Sequence, residues 1–529
     1  MASIFEQSRL CVLKSIPLLF SLSGSFALSL SCAIAAVEYD FERASIATHR
    51  TYFVSLNGSD NWPGSADRPW ATINHASAKA VAGDTVIVHG GRYVLPTQVR
   101  VRNSGRADAW ITFIGYPGEE PILDAQSIRL PAFVKGALNN GAFQIEGASH
   151  IRVANLSVIN SHDAGITVRD SSDIELINNS TDGSYSSGIA VWNTNHDDKG
   201  TKRIRVIGNT IIKATTWDLA APDVPRRGEP PHEALSIGGA VDFEVAYNHV
   251  YDSDKEGIDV KETSSRGKVH HNHVHNLHRQ GIYVDAWFGK IDDIKVFANV
   301  VHDCGGAGVA LSAENGTSIE DVDIYNNLIF NNNGSGLYFS RWGANNTRRR
   351  IQIFNNVFYH NGYGPPSNGQ AYYWQTGGIY LYSASVYDVS ISHNIMSENN
   401  GFQIGYSELF LKDGPSSWQE AAREQKIVIT RNLIYGSNPI ASPIESGGQP
   451  FDRVKIHSTT GDRAIFGDPS FRDAAEQDFG LRNDSPATKA HIFAGAYPPS
   501  FLSQKWWTKD FPPKLVRYPR TNEKNRSWK

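Results

Sequence analysis

Short runs of alternating apolar and polar residues recur through the middle of the chain, each joined to the next by a turn. None carries the i, i+3, i+4 stripe of a helix, so the runs are expected to be β-strands. One kind of run leads to an asparagine, in Val-Ala-Asn155, Val-Ala-Tyr-Asn248, Val-His-His-Asn272, Val-Phe-Ala-Asn299, Ile-Tyr-Asn-Asn327, Ile-Phe-Asn-Asn356 and Ile-Ser-His-Asn394. A second opens on a glycine, in Gly165-Ile-Thr-Val, Gly188-Ile-Ala-Val, Gly257-Ile-Asp-Val, Gly281-Ile-Tyr-Val, Gly308-Val-Ala-Leu, Gly336-Leu-Tyr-Phe and Gly378-Ile-Tyr-Leu. Gly257, Gly281, Gly308 and Gly336 are 24, 27 and 28 residues apart, a period that means stacked repeats. The pattern predicts an all-β solenoid, a parallel β-helix with one repeat per coil, in which the asparagines ladder their amides from coil to coil. A short helix is expected over 416–426.

The phase of each coil sorts its side chains. One and three residues after each glycine stand aliphatics (Ile258 and Val260, Ile282 and Val284, Val309 and Leu311, Leu337 and Phe339), which point into the solenoid. Residues two, four and six after the glycine then face outward. The second position reads Asp259, Tyr283, Ala310, Tyr338; the fourth reads Lys261, Asp285, Ser312, Ser340; the sixth reads Thr263, Trp287, Glu314, Trp342. Neighbouring coils lie about 4.8 Å apart, so Lys261 is expected beside Asp285 and should hold it ionised. Glu314, between Trp287 and Trp342, should be partly desolvated and protonated. One charged and one protonated carboxyl group is the division of labour that glycoside cleavage uses. Tyr283, Tyr338, Trp287 and Trp342 supply flat faces for sugar rings, with Asp259 beside them. The same residues also suit a structural ladder of salt bridges and stacked rings.

Composition adds limits. The 50 basic residues are matched by 54 acidic ones, which excludes a polybasic nucleic-acid binder. Arg9 and Lys14 precede an apolar stretch over 16–30, and Ala33-Ile34-Ala35 offers a cleavage site. Residues 1–35 are therefore expected to be a signal peptide rather than a membrane span, and the protein to be secreted or periplasmic. Cys32 is not preceded by the leucine spacing of a lipoprotein box, so no lipid anchor is expected. Beyond the leader only Cys304 remains, which leaves no internal disulfide.

Tyr52-Phe-Val-Ser-Leu-Asn-Gly58, Arg68-Pro-Trp70-Ala-Thr-Ile and Gly83-Asp-Thr-Val-Ile-Val88 resemble the opening of bacterial pectate-lyase-like proteins, and Asp468-Pro-Ser-Phe471 and Ser485-Pro-Ala487 resemble their last stretch. That resemblance implies a right-handed β-helix over residues 51–490, capped by a short N-terminal helix and carrying inserted loops. Residues 491–529 are expected to be a C-terminal tail. Locally, Gly281-Ile-Tyr-Val-Asp285-Ala-Trp287 followed by Glu314-Asn-Gly resembles the catalytic stretch of the β-helical β-xylosidases of glycoside hydrolase family 120. It implies Asp285 as nucleophile and Glu314 as acid/base. The sequence departs from that family at Ala286, where an aromatic is usual, and in its longer Asp-to-Glu interval.

A polysaccharide lyase, or a uronate epimerase, is the second reading. Lys261 would be its base, and Asp252, Asp254, Glu256 and Asp259 an oxygen-rich calcium set loosely resembling that of polysaccharide lyase family 9. The carboxylates around Lys261 should raise its pKa and make it a poor base. A non-catalytic glycan-binding solenoid is the third. The hydrolase reading needs no cofactor; the lyase reading admits Ca²⁺. The expected partner in each case is a poly- or oligosaccharide. Three insertions should wall the cleft: 217–233, with His232 and Glu233 reaching the site; 341–350, with four arginines including Arg341; and 362–377, with Tyr372, Tyr373 and Trp374. Histidines 270, 271, 273, 275 and 278 alternate between faces and are not expected to form a metal set.

Overall fold

The computed structural model describes residues 50–128, 140–196, 200–219, 230–363, 376–412, 414–436, 443–444 and 454–492. The leader, the tail beyond residue 492, residues 220–229 of the first insertion and residues 364–375 of the third lie outside this set.

Among the described residues the strands form three 13-stranded sheets and one two-stranded hairpin. Each coil adds one strand to each sheet, as Val241–Ala246, His249–Ser253 and Ile258–Lys261 do before Ser265–His270 returns to the first sheet. Neighbours in a sheet are parallel and in register, apart from the antiparallel additions at 443–444 and 454–458. The inward aliphatics Ile258, Val260, Ile282, Val284, Val309, Leu311, Leu337 and Phe339 are fully buried in one continuous core. The glycine that opens most strands of the third sheet, as before Ile258, Ile282, Val309 and Leu337, is a matter of space. A Cβ at Gly281 would lie 2.2 Å from the Val301 methyl and 2.7 Å from the Gly308 carbonyl oxygen.

The asparagine ladder joins the first sheet to the second. It runs through Asn179, Asn209, Asn248, Asn272, Asn299, Asn327, Asn356, Asn394 and Asn432. Each amide Nδ2 donates to the Oδ1 of the next coil, and that Oδ1 also accepts the preceding asparagine's backbone N–H. Asn155, expected in the ladder, stands one residue early. It takes the turn position before Leu156, with φ of 53°, and Leu156 occupies the rung that donates to Asn179. A shorter ladder, Asn332, Asn361 and Asn399, closes on Gln403 at another corner.

The ends follow the expected plan. A helix, Ile73–Lys79, sits at the N-terminal end, with Thr72 capping it by accepting from His75 N–H. The later helix is Trp418–Glu424, capped by Ser417. The hairpin of Phe471–Asp473 and Asp478–Leu481 packs Phe479 on Phe330 of the second sheet. Cys304 is buried in the core.

Candidate active site

The outer face of the third sheet brings the expected residues together. The register stacks Ser236, Asp259, Tyr283, Ala310 and Tyr338 in one column, and Trp192, Gly238, Lys261, Asp285 and Ser312 in the next. Gly238 makes room in its column, since a Cβ there would stand 2.6 Å from the Trp192 ring. The third expected column does not form. The strands end at Asp285 and Ser312, Ala286 turns into the core, and Trp287 lies on the following turn, 37% exposed.

Lys261 does stack beside Asp285, yet its ammonium turns elsewhere. It donates to Glu233 Oε1 at 2.9 Å and lies 3.4 Å from Asp259 Oδ2. Glu233, delivered by the end of the first insertion, also accepts from Ser236 Oγ at 2.7 Å. Burial opposes charge on Glu233, but Lys261 above all brings its carboxyl well below the usual range. Burial likewise opposes charge on Lys261, and Glu233, Asp259 and Asp285 overcome it and hold the ammonium protonated. His232 packs edge-on against Trp192, and burial lowers its pKa to about 4.

The remaining acids cannot all be charged around one ammonium. Burial, then the Glu314 charge, pushes Asp285 well above the carboxylate range. Burial does the same to Asp259 and takes Glu262 to about 7. Glu314 is raised by burial too, while the Tyr283 phenol donates to its Oε1 and favours the anion. The ion pairs of Lys261 go to Glu233 and Asp259 rather than to the expected Asp285, which is 3% exposed, has an Oδ1 without a hydrogen-bond partner, and is pushed by burial toward its neutral form. Glu314 is half-buried and accepts from the Tyr283 phenol. Trp342 instead sets its ring edge-on to Tyr283 and Tyr338, at 5.8 and 5.7 Å between centroids.

Other expected contributors are placed differently. Asp252 accepts from Asn276, Asp254 lies 3.2 Å from His278, Glu256 pairs with Arg279, and Asp259 faces Lys261. Each acid is engaged in a different direction, and among the described residues the four form no calcium-ligand set. Of the four arginines in 341–350, Arg349 and Arg350 pair with Glu320 and Asp321 on the first sheet. Arg348 is wholly buried, donating to Ser340 O and Asn346 O, and burial lowers its pKa to about 10. Arg341 is half-buried beside Trp342. Tyr372, Tyr373 and Trp374 lie outside the described residues.

Reading the columns one coil further back would have found Trp192, four residues after Gly188. Beyond it the His196 ring lies 4.0 Å between centroids from the exposed ring of Phe288, tilted by 33°, a contact that no repeat signal marks.

The Lys261–Glu233 pair makes a stability prediction. Lys261→Met leaves a buried Glu233 carboxylate uncompensated and should cost about 3 kcal/mol at neutral pH. Adding Glu233→Gln should recover most of it in thermal melts, a coupling that an exposed pair would not show.

Comparisons with known proteins agree on the scaffold. A family model described as Pel9A-like, right handed beta helix region, matches residues 52–223, and a second, right handed beta helix region, matches 140–324. The uncharacterized protein YwoF of Bacillus subtilis is 26% identical over 497 residues, 87% of this chain and 96% of its own. Pectate lyase PEL9 of Emericella nidulans is 31% identical over 141 residues, 26% of this chain and 34% of its own length. The solved structure of XylC with xylose matches at a TM-score of 0.50 and 15% identity, over 80% of this chain and 87% of that one. The Pel9A-like match ends before the coils that carry Lys261, Asp285 and Glu314, so it describes scaffold rather than site. The chain is a right-handed parallel β-helix, matched by models of that fold from residue 52 to residue 324.

Proposed function

We propose that this protein cleaves glycosidic bonds of a poly- or oligosaccharide by hydrolysis, with Asp285 and Glu314 as the two catalytic carboxyl groups. The observation that carries the reading is the Asp285–Glu314 pair: Asp285 ends its strand of the third sheet, Glu314 lies just past the end of the next coil's strand, burial raises both acids, and Glu314 accepts from the Tyr283 phenol. Asp285, the more strongly raised of the two, is assigned to protonate the leaving oxygen, and Glu314, whose anion the Tyr283 phenol favours, to act as the base or nucleophile. This reverses the roles implied by the resemblance to family 120 β-xylosidases, while keeping the same pair. Trp342, partly exposed, suits the apolar face of a sugar ring, whereas Tyr283, Tyr338 and Trp192 are buried and offer no such face. The leader read in residues 1–35 supports action outside the cytoplasm.

Elimination is less well served. A lyase base must be able to lose its proton, and Lys261 is locked between Glu233 and Asp259 in its charged form. The deciding experiment incubates the protein with neutral and uronate-containing polysaccharides, recording both reducing ends and the ultraviolet absorbance of unsaturated uronates. New reducing ends without that absorbance are expected. Unsaturated products that disappear on Lys261→Met would replace hydrolysis by elimination.

A further inference from the structure

Four histidines from three successive coils meet on the outer face of the second sheet, away from the site above. His249 pairs in register with His273, and Tyr251, His275 and His302 stack in the adjacent column. Their rings form an array: centroids of His249 and His273 are 4.7 Å apart, His273 and His275 4.5 Å, and His275 and His302 5.0 Å. The nitrogens face one another. His249 Nε2 lies 2.9 Å from His275 Nε2, and His273 Nε2 lies 2.8 Å from His302 Nε2. One ligand nitrogen from each of His249, His273 and His275 falls within 4.8 Å of the others. Reading the histidines from 270 to 278 alone misses the array, because His249 and His302 sit a coil away on either side of His273 and His275.

We infer that this histidine array is a binding site for a divalent transition metal of the zinc class, which staples neighbouring coils together. Three or four imidazoles with no thiolate and no carboxylate in the first set suit Zn²⁺ and neighbouring borderline ions rather than calcium or magnesium. His302 carries the supporting shell such sites use: its Nδ1 faces Asp303 Oδ2 at 2.6 Å, which directs the Nε2 lone pair into the array. Without metal, each close N···N contact fits an N–H···N hydrogen bond between neutral imidazoles; metal binding at Nε2 would move that ring's N–H to Nδ1, with no net loss of a proton. His249 and His275 are half-buried, which leaves the array open to an ion from outside, while His273 and His302 form its buried floor. In a chain whose β-helix holds one cysteine, such a staple does between coils what a disulfide would do.

The test uses the full chain, stripped with a chelator, dialysed and titrated calorimetrically with ZnCl₂. One equivalent is expected to bind with Kd of about 1 μM or tighter, and saturation should raise the melting midpoint by at least about 3 °C. His249→Phe with His275→Phe keeps flat rings in the stack, as Phe297 and Phe330 do in neighbouring stacks, and removes two ligands. That variant should fold, by circular dichroism, and bind at least about 100-fold more weakly, with no zinc-dependent shift in its melt. Asp303→Asn should weaken binding about 10-fold. No stoichiometric binding by the stripped wild type, or binding undiminished in the double variant, overturns the site. In the first case the array is a stack of aromatic rings only; in the second the zinc is held elsewhere.

Discussion

Asp285→Asn and Glu314→Gln are each expected to lower turnover at least about 1,000-fold on whichever glycan the protein cleaves. The two substitutions keep size and shape and remove only the ability to exchange a proton, so lost activity reports chemistry rather than packing. Their effects on stability should differ with pH. Asp285 has a folded pKa raised above its unfolded value, so its contribution is fully present below the unfolded pKa and is lost as pH rises through the folded one. The amide that replaces the carboxyl group does not titrate. Asp285→Asn should therefore melt close to wild type under acid conditions and above it on the alkaline side. Turnover near normal in either variant would remove the pair from the mechanism, and a uniform loss of stability at every pH would mean that Asp285 is a structural group.

Asn299→Ala should be among the most damaging single changes outside the site. Its amide donates to Val269 O and Asn327 Oδ1, and its oxygen accepts both the backbone N–H and the Nδ2 of Asn272. All of these lie in the buried interior of the turn, where no water replaces them. Two donors and two acceptors lose a partner at about 1–3 kcal/mol each, so a cost of about 5 kcal/mol is expected. A drop of the melting midpoint by less than about 3 °C would mean that the ladder is decorative.

Most of the scaffold was legible because a period of two and a glycine every coil are enough to phase each strand. Asp259, Tyr283, Lys261 and Asp285 fell in the columns that the phase assigned them. Legibility ended where the strands ended. Six residues after the glycine the chain has left the sheet, so Trp287 and Glu314 obey turn geometry instead of strand alternation. Charge pairing was harder still. Adjacency put Lys261 next to Asp285, but a four-carbon stem lets an ammonium choose among several carboxylates, and Glu233 arrives from an insertion outside the repeat. Insertions carry no phase, and the acids that looked like a calcium loop, close in sequence, diverge because a β-turn and a change of sheet separate Asp252 from Asp259.

The ladder of amides has a direction. Each rung's N–H groups end on the oxygen of the coil that follows it in the chain, as Asn248 ends on Asn272 and Asn272 on Asn299. A polypeptide emerging from the ribosome therefore presents, at every moment, one newest coil whose donors await an acceptor not yet synthesised. Completion passes along the chain in the order of translation, and each coil is sealed only when its successor, some 24 to 39 residues later, reaches the turn. Whole coils can accordingly be gained or lost by duplication without disturbing the pattern, whereas a frame of part of a coil would strand the rung before it.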